Sequence, residues 1–85
     1  MSVLLKLGSS GPNVTNLQKM LNHLRMSQVP LRLDGIFGPK TNAAVIQFQT
    51  QSLLKPDGIV GPLTSKKLLS YVFSDIYKPS GVNFK

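Results

Sequence analysis

The apolar residues of the chain recur at helical spacing in three segments, and each segment follows a Gly-Pro pair. In the first segment they lie three, four and three positions apart, at Val14, Leu17, Leu21 and Leu24. This spacing places all four side chains on one face of an α-helix. Because proline is favoured at the first helical position, the helix is predicted to begin at Pro12 and to end near Arg25 or Met26.

Two more helices are predicted in the same way. The second begins at Pro39 and runs to about Gln51, with apolar residues at Ala44, Val45 and Phe48 and a further contact from Leu53 or Leu54. The third begins at Pro62 and runs to about Tyr77, with apolar residues at Leu68, Leu69, Val72, Phe73 and Ile76. The letters KPSG at 78–81 stop it, because proline and glycine do not continue a helix.

These elements predict an all-α fold, a small three-helix domain whose two connections each contain an Asp-Gly turn. The pattern also allows a short hairpin near residues 31–37, where β-prone residues flank Asp34-Gly35. We expect one domain over residues 1–77. Residues 78–85 read as a linker or tail toward a catalytic domain that the chain does not contain.

One sequence of eight residues, which we call the octet, occurs twice with small differences. DGIFGPKT fills positions 34–41 and DGIVGPLT fills positions 57–64, with six of the eight letters identical. As local structure, the aspartate accepts backbone N–H groups ahead of it, the next glycine supplies a positive φ, and Gly-Pro starts a helix. A functional interpretation stays open beside it, in which the two loops frame a shallow groove for polar or anionic ligand groups.

The net charge of the chain indicates which kinds of partner it is expected to bind. Ten Lys and Arg against three Asp and Glu give a formal net charge of +7, which favours an anionic partner such as nucleic acid, acidic lipid or a bacterial cell wall. No apolar stretch is long enough to cross a bilayer or to serve as a secretory signal, so we expect no membrane partner.

Catalytic chemistry has few candidates. The chain has one His, no Cys and three carboxylates, and turn formation already explains Asp34 and Asp57. His23 has no ligand-type residue three or four positions on and falls away from the apolar face of its helix, so it reads as a surface residue. We expect no catalytic residue, no metal site and no cofactor.

The sequence resembles the three-helix peptidoglycan-binding domain of bacterial and phage cell-wall hydrolases. The resemblance covers about residues 5–70 and rests on the following positions: Leu7, Gly8, Gly11, Val14, Leu17-Gln18, Leu21, Asp34-Gly35, Phe37-Gly38, Thr41, Ala44-Val45, Phe48-Gln49, Asp57 to Pro62, Thr64 and Leu68 or Leu69. Two positions depart from the pattern. RMSQVPLRL replaces the usual Gly-Tyr or Gly-Leu after the first helix, and Ser52 stands where many members have Gly before a Leu.

The resemblance implies a non-catalytic module that holds a cell-wall hydrolase on the sacculus. With Met1 first and no signal peptide, the chain is similar to the amino-terminal targeting domain of a phage endolysin or an injected effector. The expectation is a monomer made in the cytoplasm that acts at the bacterial cell wall or periplasm after release or injection.

Peptidoglycan offers N-acetyl sugars and stem peptides rich in amides and carboxylates. Candidate ligand-binding residues are those of the two loops and their polar neighbours: Arg32, Asp34, Gly35, Phe37, Lys40, Thr41, Gln49, Asp57, Gly58 and Thr64. Two alternatives remain, a small basic nucleic-acid binder that presents the polar face of the second helix, and a protein-interaction or prodomain module.

Overall fold

A computed structural model describes residues 4–76, all but the side chains of the last two. It contains three α-helices, α1 (Pro12–His23), α2 (Pro39–Gln51) and α3 (Pro62–Ile76). Within the described residues there is no strand, so the predicted all-α three-helix fold is confirmed. The predicted end of the third helix, Tyr77, and the predicted tail at 78–85 lie outside the described residues.

All three helices start at the proline of a Gly-Pro pair. Gly11 and Gly38 are the N-cap residues of α1 and α2, and neither helix has a side-chain cap hydrogen bond. Proline lacks the N–H group that would be unpaired at a helix start and has a φ already suited to a helix. The Gly-Pro pair therefore sets the start of each helix locally, and α1 and α2 begin without a capping side chain.

The helix ends use one motif twice. After α1, the N–H of Met26 donates to the carbonyl of Leu21 and the N–H of Arg25 to that of Asn22. After α2, the N–H groups of 54 and 53 donate in the same way to the carbonyls of 49 and 50. This is the Schellman motif, whose turning residue has a left-handed backbone and is usually glycine. Here Arg25 and Leu53 adopt it, with φ of 57° and 60°, so α1 stops at His23, short of the predicted end.

We expect Leu53→Gly to stabilise the domain. A left-handed backbone costs a residue with a Cβ about 1–2 kcal/mol, and the Leu53 side chain is 93% exposed, so its removal loses little packing. The greater entropy of glycine in the unfolded chain offsets about 0.5–1 kcal/mol of this gain. The net gain of about 0.5–1 kcal/mol should raise the Tm by about 3–6 °C in a thermal melt.

Gln47→Gly is the matched control, because it also introduces glycine at an exposed position, but inside α2. Glycine within a helix costs about 1 kcal/mol relative to good helix formers, so this variant should melt lower than the parent. A Leu53→Gly variant that melted at or below the parent would contradict the strain assigned to position 53.

The core lies along α1, which packs against both α2 and α3. It consists of ten buried apolar residues from the helices and their connections: Val14, Leu17, Leu21, Leu31, Phe37, Ala44, Val45, Phe48, Val60 and Leu68. Leu68 is buried as predicted, whereas Leu69 and Phe73 are 53% and 60% exposed. The apolar face predicted for α3 is thus wider than the part that α1 covers.

Residues 5–11 form backbone hydrogen bonds with both octets. Leu5 and Val60 exchange backbone hydrogen bonds of 3.1 and 2.8 Å, and Phe37 exchanges two more with residues 8 and 9. These contacts form isolated antiparallel bridges and no strand. The hairpin anticipated at 31–37 does not form, because its backbone pairs with this segment and, at Leu31, with the side chain of Asn22.

In the part of the chain that the structure describes, no helix is both long and apolar enough to cross a membrane.

Candidate functional site

A buried glutamine of α1 holds the first octet. The side chain of Gln18 is 1% exposed. Its Nε2 donates to Asp34 Oδ1 at 3.1 Å, to the carbonyl of Ile36 at 3.0 Å and to Thr41 Oγ1 at 3.1 Å. Its Oε1 accepts the N–H of Gly35 at 3.1 Å. One amide therefore fixes the turn, the loop and the first turn of α2.

The second octet is held in the same way by α2. Gln49 Nε2 donates to Asp57 Oδ1, to the carbonyl of Ile59 and to Thr64 Oγ1 at 3.0–3.1 Å, and Gln49 Oε1 accepts the N–H of Gly58 at 2.9 Å. We call each arrangement a glutamine clasp. The octet is spelled twice because each copy provides the acceptors and the N–H group that one buried glutamine amide requires.

The clasps explain which octet positions are polar. Asp34 Oδ1 and Asp57 Oδ1 also accept the N–H two residues ahead, at 3.0 and 2.9 Å, and the glycine that follows each has a φ of 71° or 76°. The helix α3 contains no Gln or Asn, so it provides no amide for a third arrangement of this kind, and the clasp occurs twice among the described residues.

Hydrogen bonds further favour the ionised form of both turn carboxylates. The N–H of Ile36, and then the amide of Gln18, lower the pKa of Asp34 below its usual value, and nearby Arg32 adds to this. For Asp57 the N–H of Ile59 is the largest cause of the lowered pKa. Donors that point at a carboxylate favour its charged form, so both side chains are negative at neutral pH.

The structure divides the ten candidate residues into two groups. Six lie in the interior, where the clasps and the core account for them: Gly35, Phe37, Thr41, Gln49, Gly58 and Thr64. Gln49 and Phe37 are each 1% exposed, so neither offers a surface to a ligand. The exposed ones are Arg32, Asp34, Lys40 and Asp57, and three of these four lie together.

Those three residues line a shallow groove beside the first octet. The groove has a volume of about 890 Å³ and lies between residues 27–32 and the start of α2. We call it the first-octet groove; its walls include Val29, Arg32, Asp34, Ile36 and Lys40, with Thr41 at its base. Asp57 is not among the residues that line it.

The unequal loop lengths account for the groove. Gln18 and Asp34 are 16 positions apart, whereas Gln49 and Asp57 are 8 apart. The additional residues of the first connection build the wall at 27–32. A second amide holds this wall, because Asn22 Oδ1 accepts the N–H of Leu31 at 2.7 Å and Asn22 Nδ2 donates to its carbonyl at 3.0 Å.

The groove combines apolar and cationic surfaces. Val29 and Ile36 are 73% and 57% exposed, and Arg32 and Lys40 are exposed beside them. Lys40 belongs to the first turn of α2, where helix N–H groups have no partner within the helix and the helix dipole is positive. The groove can therefore receive a carboxylate next to a small apolar group.

Gln18 and Asn22 were not predicted as functional positions from the sequence. Gln18 and Gln49 each follow a core residue, Leu17 or Phe48, and the two pairs are 31 positions apart. This repeated polar residue beside a core position was a usable signal for the clasps. Asn22 has no counterpart in the second unit, so no comparable signal marked it.

No cluster of three or more His, Cys, Asp or Glu side chains that could hold a metal ion occurs among the described residues. His23 is exposed at the last position of α1, as its place on the predicted helix indicated.

Together the fold and the groove define a small helical binding module made of two overlapping helix–loop units. The family model described as "Putative peptidoglycan binding domain" matches residues 10–68. The chain belongs to this family, and the predicted peptidoglycan-binding module acting at the cell wall is confirmed. Among curated proteins no sequence matches. Neither the nucleic-acid alternative nor the prodomain alternative gains support.

Solved structures agree with this assignment. The SleB N-terminal domain is 30% identical with a TM-score of 0.76, over 81% of this chain and 92% of that one. A peptidoglycan-binding protein from Clostridioides difficile, in complex with glutamine hydroxamate, is 39% identical with a TM-score of 0.72, over 78% of this chain. The Burkholderia AP3 phage endolysin is 37% identical with a TM-score of 0.72, over 80% of this chain.

The module is a fraction of the larger relatives. The chain spans 40% of the Clostridioides difficile protein and 25% of the endolysin. It spans 29% of a fused Zn-dependent amidase/peptidase/peptidoglycan-binding protein from Clostridium acetobutylicum, at 37% identity and a TM-score of 0.70.

Proposed function

We propose that the first-octet groove binds the stem peptides of peptidoglycan, and that the module is a non-catalytic anchor for a cell-wall hydrolase. The observation that carries this proposal is the pairing of Arg32 and Lys40 with exposed Val29 and Ile36 in one groove. Stem peptides combine free carboxylates with small apolar side chains, and the groove offers a complement to both.

The two cations have different geometries that suit one ligand. The Arg32 guanidinium can donate two parallel hydrogen bonds to a carboxylate, whereas the Lys40 ammonium acts as a compact charge. Lys40 also lies at the N-terminus of α2, which favours an anion at the same end of the groove. Asp34 is negative there, so it can accept the N–H groups of a bound peptide.

The carboxylates favour binding over catalysis. A general acid for glycoside hydrolysis needs a carboxyl group with a raised pKa. The hydrogen bonds in the clasps lower the pKa of both Asp34 and Asp57. Each aspartate therefore serves as an ionised acceptor within a turn.

The proposed role as an anchor draws on the larger relatives. Similar domains occur in an endolysin and in a fused amidase/peptidase, of which this chain spans 25% and 29%. A monomeric module that binds the wall raises the local concentration of any hydrolase attached to it.

Cosedimentation with purified sacculi tests the proposal. We expect the double variant Arg32→Ala/Lys40→Ala to bind about tenfold more weakly at physiological salt, because an exposed ion pair is worth about 0.2–1 kcal/mol and the loss of two such pairs approaches the roughly 1.4 kcal/mol of a tenfold change. Its circular dichroism spectrum and thermal melt should match those of the parent, because both side chains are exposed.

Lys55→Ala/Lys66→Ala is the matched control. It removes two exposed positive charges that lie outside the groove, so it should weaken binding no more than about twofold at physiological salt, where surface charges are screened beyond about 8 Å. If both double variants lost the same amount of sacculus binding, the binding would come from general attraction between charges, and the groove assignment would be overturned. A parent protein that shifted DNA but left sacculi unbound would overturn the function.

A further inference from the structure

A second groove lies between α1 and α3. It has a volume of about 630 Å³, and its rims are formed by Asn13, Asn16, Lys19 and Met20 of α1 and by Ser65 and Leu69 of α3. We call it the α1/α3 groove. It exists because α3 packs on α1 through Leu68 and leaves Leu69 turned aside, 53% exposed.

The polar side chains on the rims are not used by the fold. Unlike Gln18 and Asn22, the side chains of Asn13, Asn16 and Ser65 make no hydrogen bond to any residue within 4–76. Asn13 and Asn16 are exposed and three positions apart, so they lie next to each other along one side of α1. The rim thus presents two amides and a hydroxyl that are available to a ligand.

The floor of the α1/α3 groove is apolar. Leu5 and Val60, which are joined by their backbone bridge, close its base, and Leu17 and Leu68 lie beneath it. Leu5 and Met20 are only partly buried by the protein. A concave apolar surface with a few convergent polar groups is the usual form of a small-ligand site.

We propose that the α1/α3 groove binds an N-acetylated amino sugar of the glycan strand. An asparagine amide both donates and accepts, so Asn13 and Asn16 can pair with sugar hydroxyls and with an acetamido group. The apolar floor suits the acetyl methyl group and the C–H face of the sugar ring. Among the described residues no carboxylate lines the groove and Lys19 is the single charged residue there, which fits an uncharged ligand better than a stem peptide with several carboxylates.

The two grooves lie on different sides of α1. Gln18 lines the first-octet groove and Asn16 the α1/α3 groove, and two residues along a helix correspond to a rotation of about 200°. A glycan strand and one of its stem peptides could then be held on opposite sides of one helix. This inference rests on the proposed role of the module as a peptidoglycan anchor and is independent of the peptide groove, to which it adds the glycan as a second contact.

Oligomers of N-acetylglucosamine are the probe, because they carry the sugar without any peptide. Titration of the isotope-labelled protein should move the amide NMR signals of α1/α3 groove residues and leave those of 27–32 in place. Asn13→Ala/Asn16→Ala should weaken oligomer binding about five- to tenfold, in line with the loss of one or two hydrogen bonds. Gln47→Ala/Gln51→Ala, which removes two exposed amides of α2, is the matched control and should leave the affinity unchanged.

The outcomes separate the two proposals. If sacculi bind and depend on Arg32 and Lys40 while the oligomer moves no α1/α3 signal, the glycan groove is overturned and the peptide groove stands. Signals that move at 27–32 with the oligomer would also overturn it. If oligomer binding depends on Asn13 and Asn16 while loss of Arg32 and Lys40 changes nothing, the glycan inference stands and the peptide groove fails.

Discussion

Gln49→Met is expected to cost the domain about 3–5 kcal/mol, or to leave it unfolded. Methionine keeps the length and flexibility of the glutamine side chain, but it cannot donate a hydrogen bond and its sulfur is only a weak acceptor. The N–H of Gly58 and the hydroxyl of Thr64 are buried, and a buried polar group that loses its partner costs about 1–3 kcal/mol. Because small domains have a total stability of about 5–15 kcal/mol, this loss takes a large share of it.

Urea denaturation followed by circular dichroism measures the effect. Gln51→Met is the control, since it makes the same replacement two residues along the same helix at an exposed position. Surface substitutions of this kind stay within about 0.5 kcal/mol. If both variants unfolded at the same urea concentration, the second glutamine clasp would contribute nothing to stability.

Most of the fold was predictable because its determinants are local. Gly-Pro pairs start the helices, and the three-four spacing of Val14, Leu17 and Leu21 identifies the face of α1 that is buried. The end of α1 was harder to predict, because Arg25 carries no local sign of a left-handed backbone. The family pattern has a glycine at such a turn. Here Arg25 occupies the position, and the Schellman hydrogen bonds hold it in the left-handed conformation.

The candidate site was only partly predictable, because burial depends on contacts across the chain. Asp34, Arg32 and Lys40 were recognised from their place near the first loop, and they do line one groove. Gln49 reads in the sequence as a polar side chain on a helix, and only the approach of the second octet makes it interior. The wall at 27–32 depends on the hydrogen bonds between the Asn22 side chain and the backbone of Leu31, nine positions away. No short sequence motif predicts that contact.

Gly35→Ala is expected to cost about 2–3 kcal/mol. Gly35 has a φ of 71°, and an added Cβ would lie 2.9 Å from Thr15 Oγ1 and 3.2 Å from the carbonyl oxygen of Gly11. The threonine side chain can rotate, but Gly11 is fixed as the N-cap of α1 and donates its own N–H to the carbonyl of Gly35 at 2.9 Å. Backbone strain of about 1–2 kcal/mol therefore adds to a close contact that the backbone must move to relieve.

Gly38→Ala distinguishes this effect from the loss of any loop glycine. Gly38 has a φ of −101°, and among the described residues no atom beyond its chain neighbours lies within 4 Å of the position of an added Cβ. Its replacement should cost less than about 1 kcal/mol, the difference between glycine and alanine at an N-cap. Thermal melts of the two variants compare them directly. If the Gly35→Ala protein were as stable as Gly38→Ala, α1 and the first octet would not be in the close contact described here. The base of the first-octet groove would then be able to move to accommodate an added methyl group.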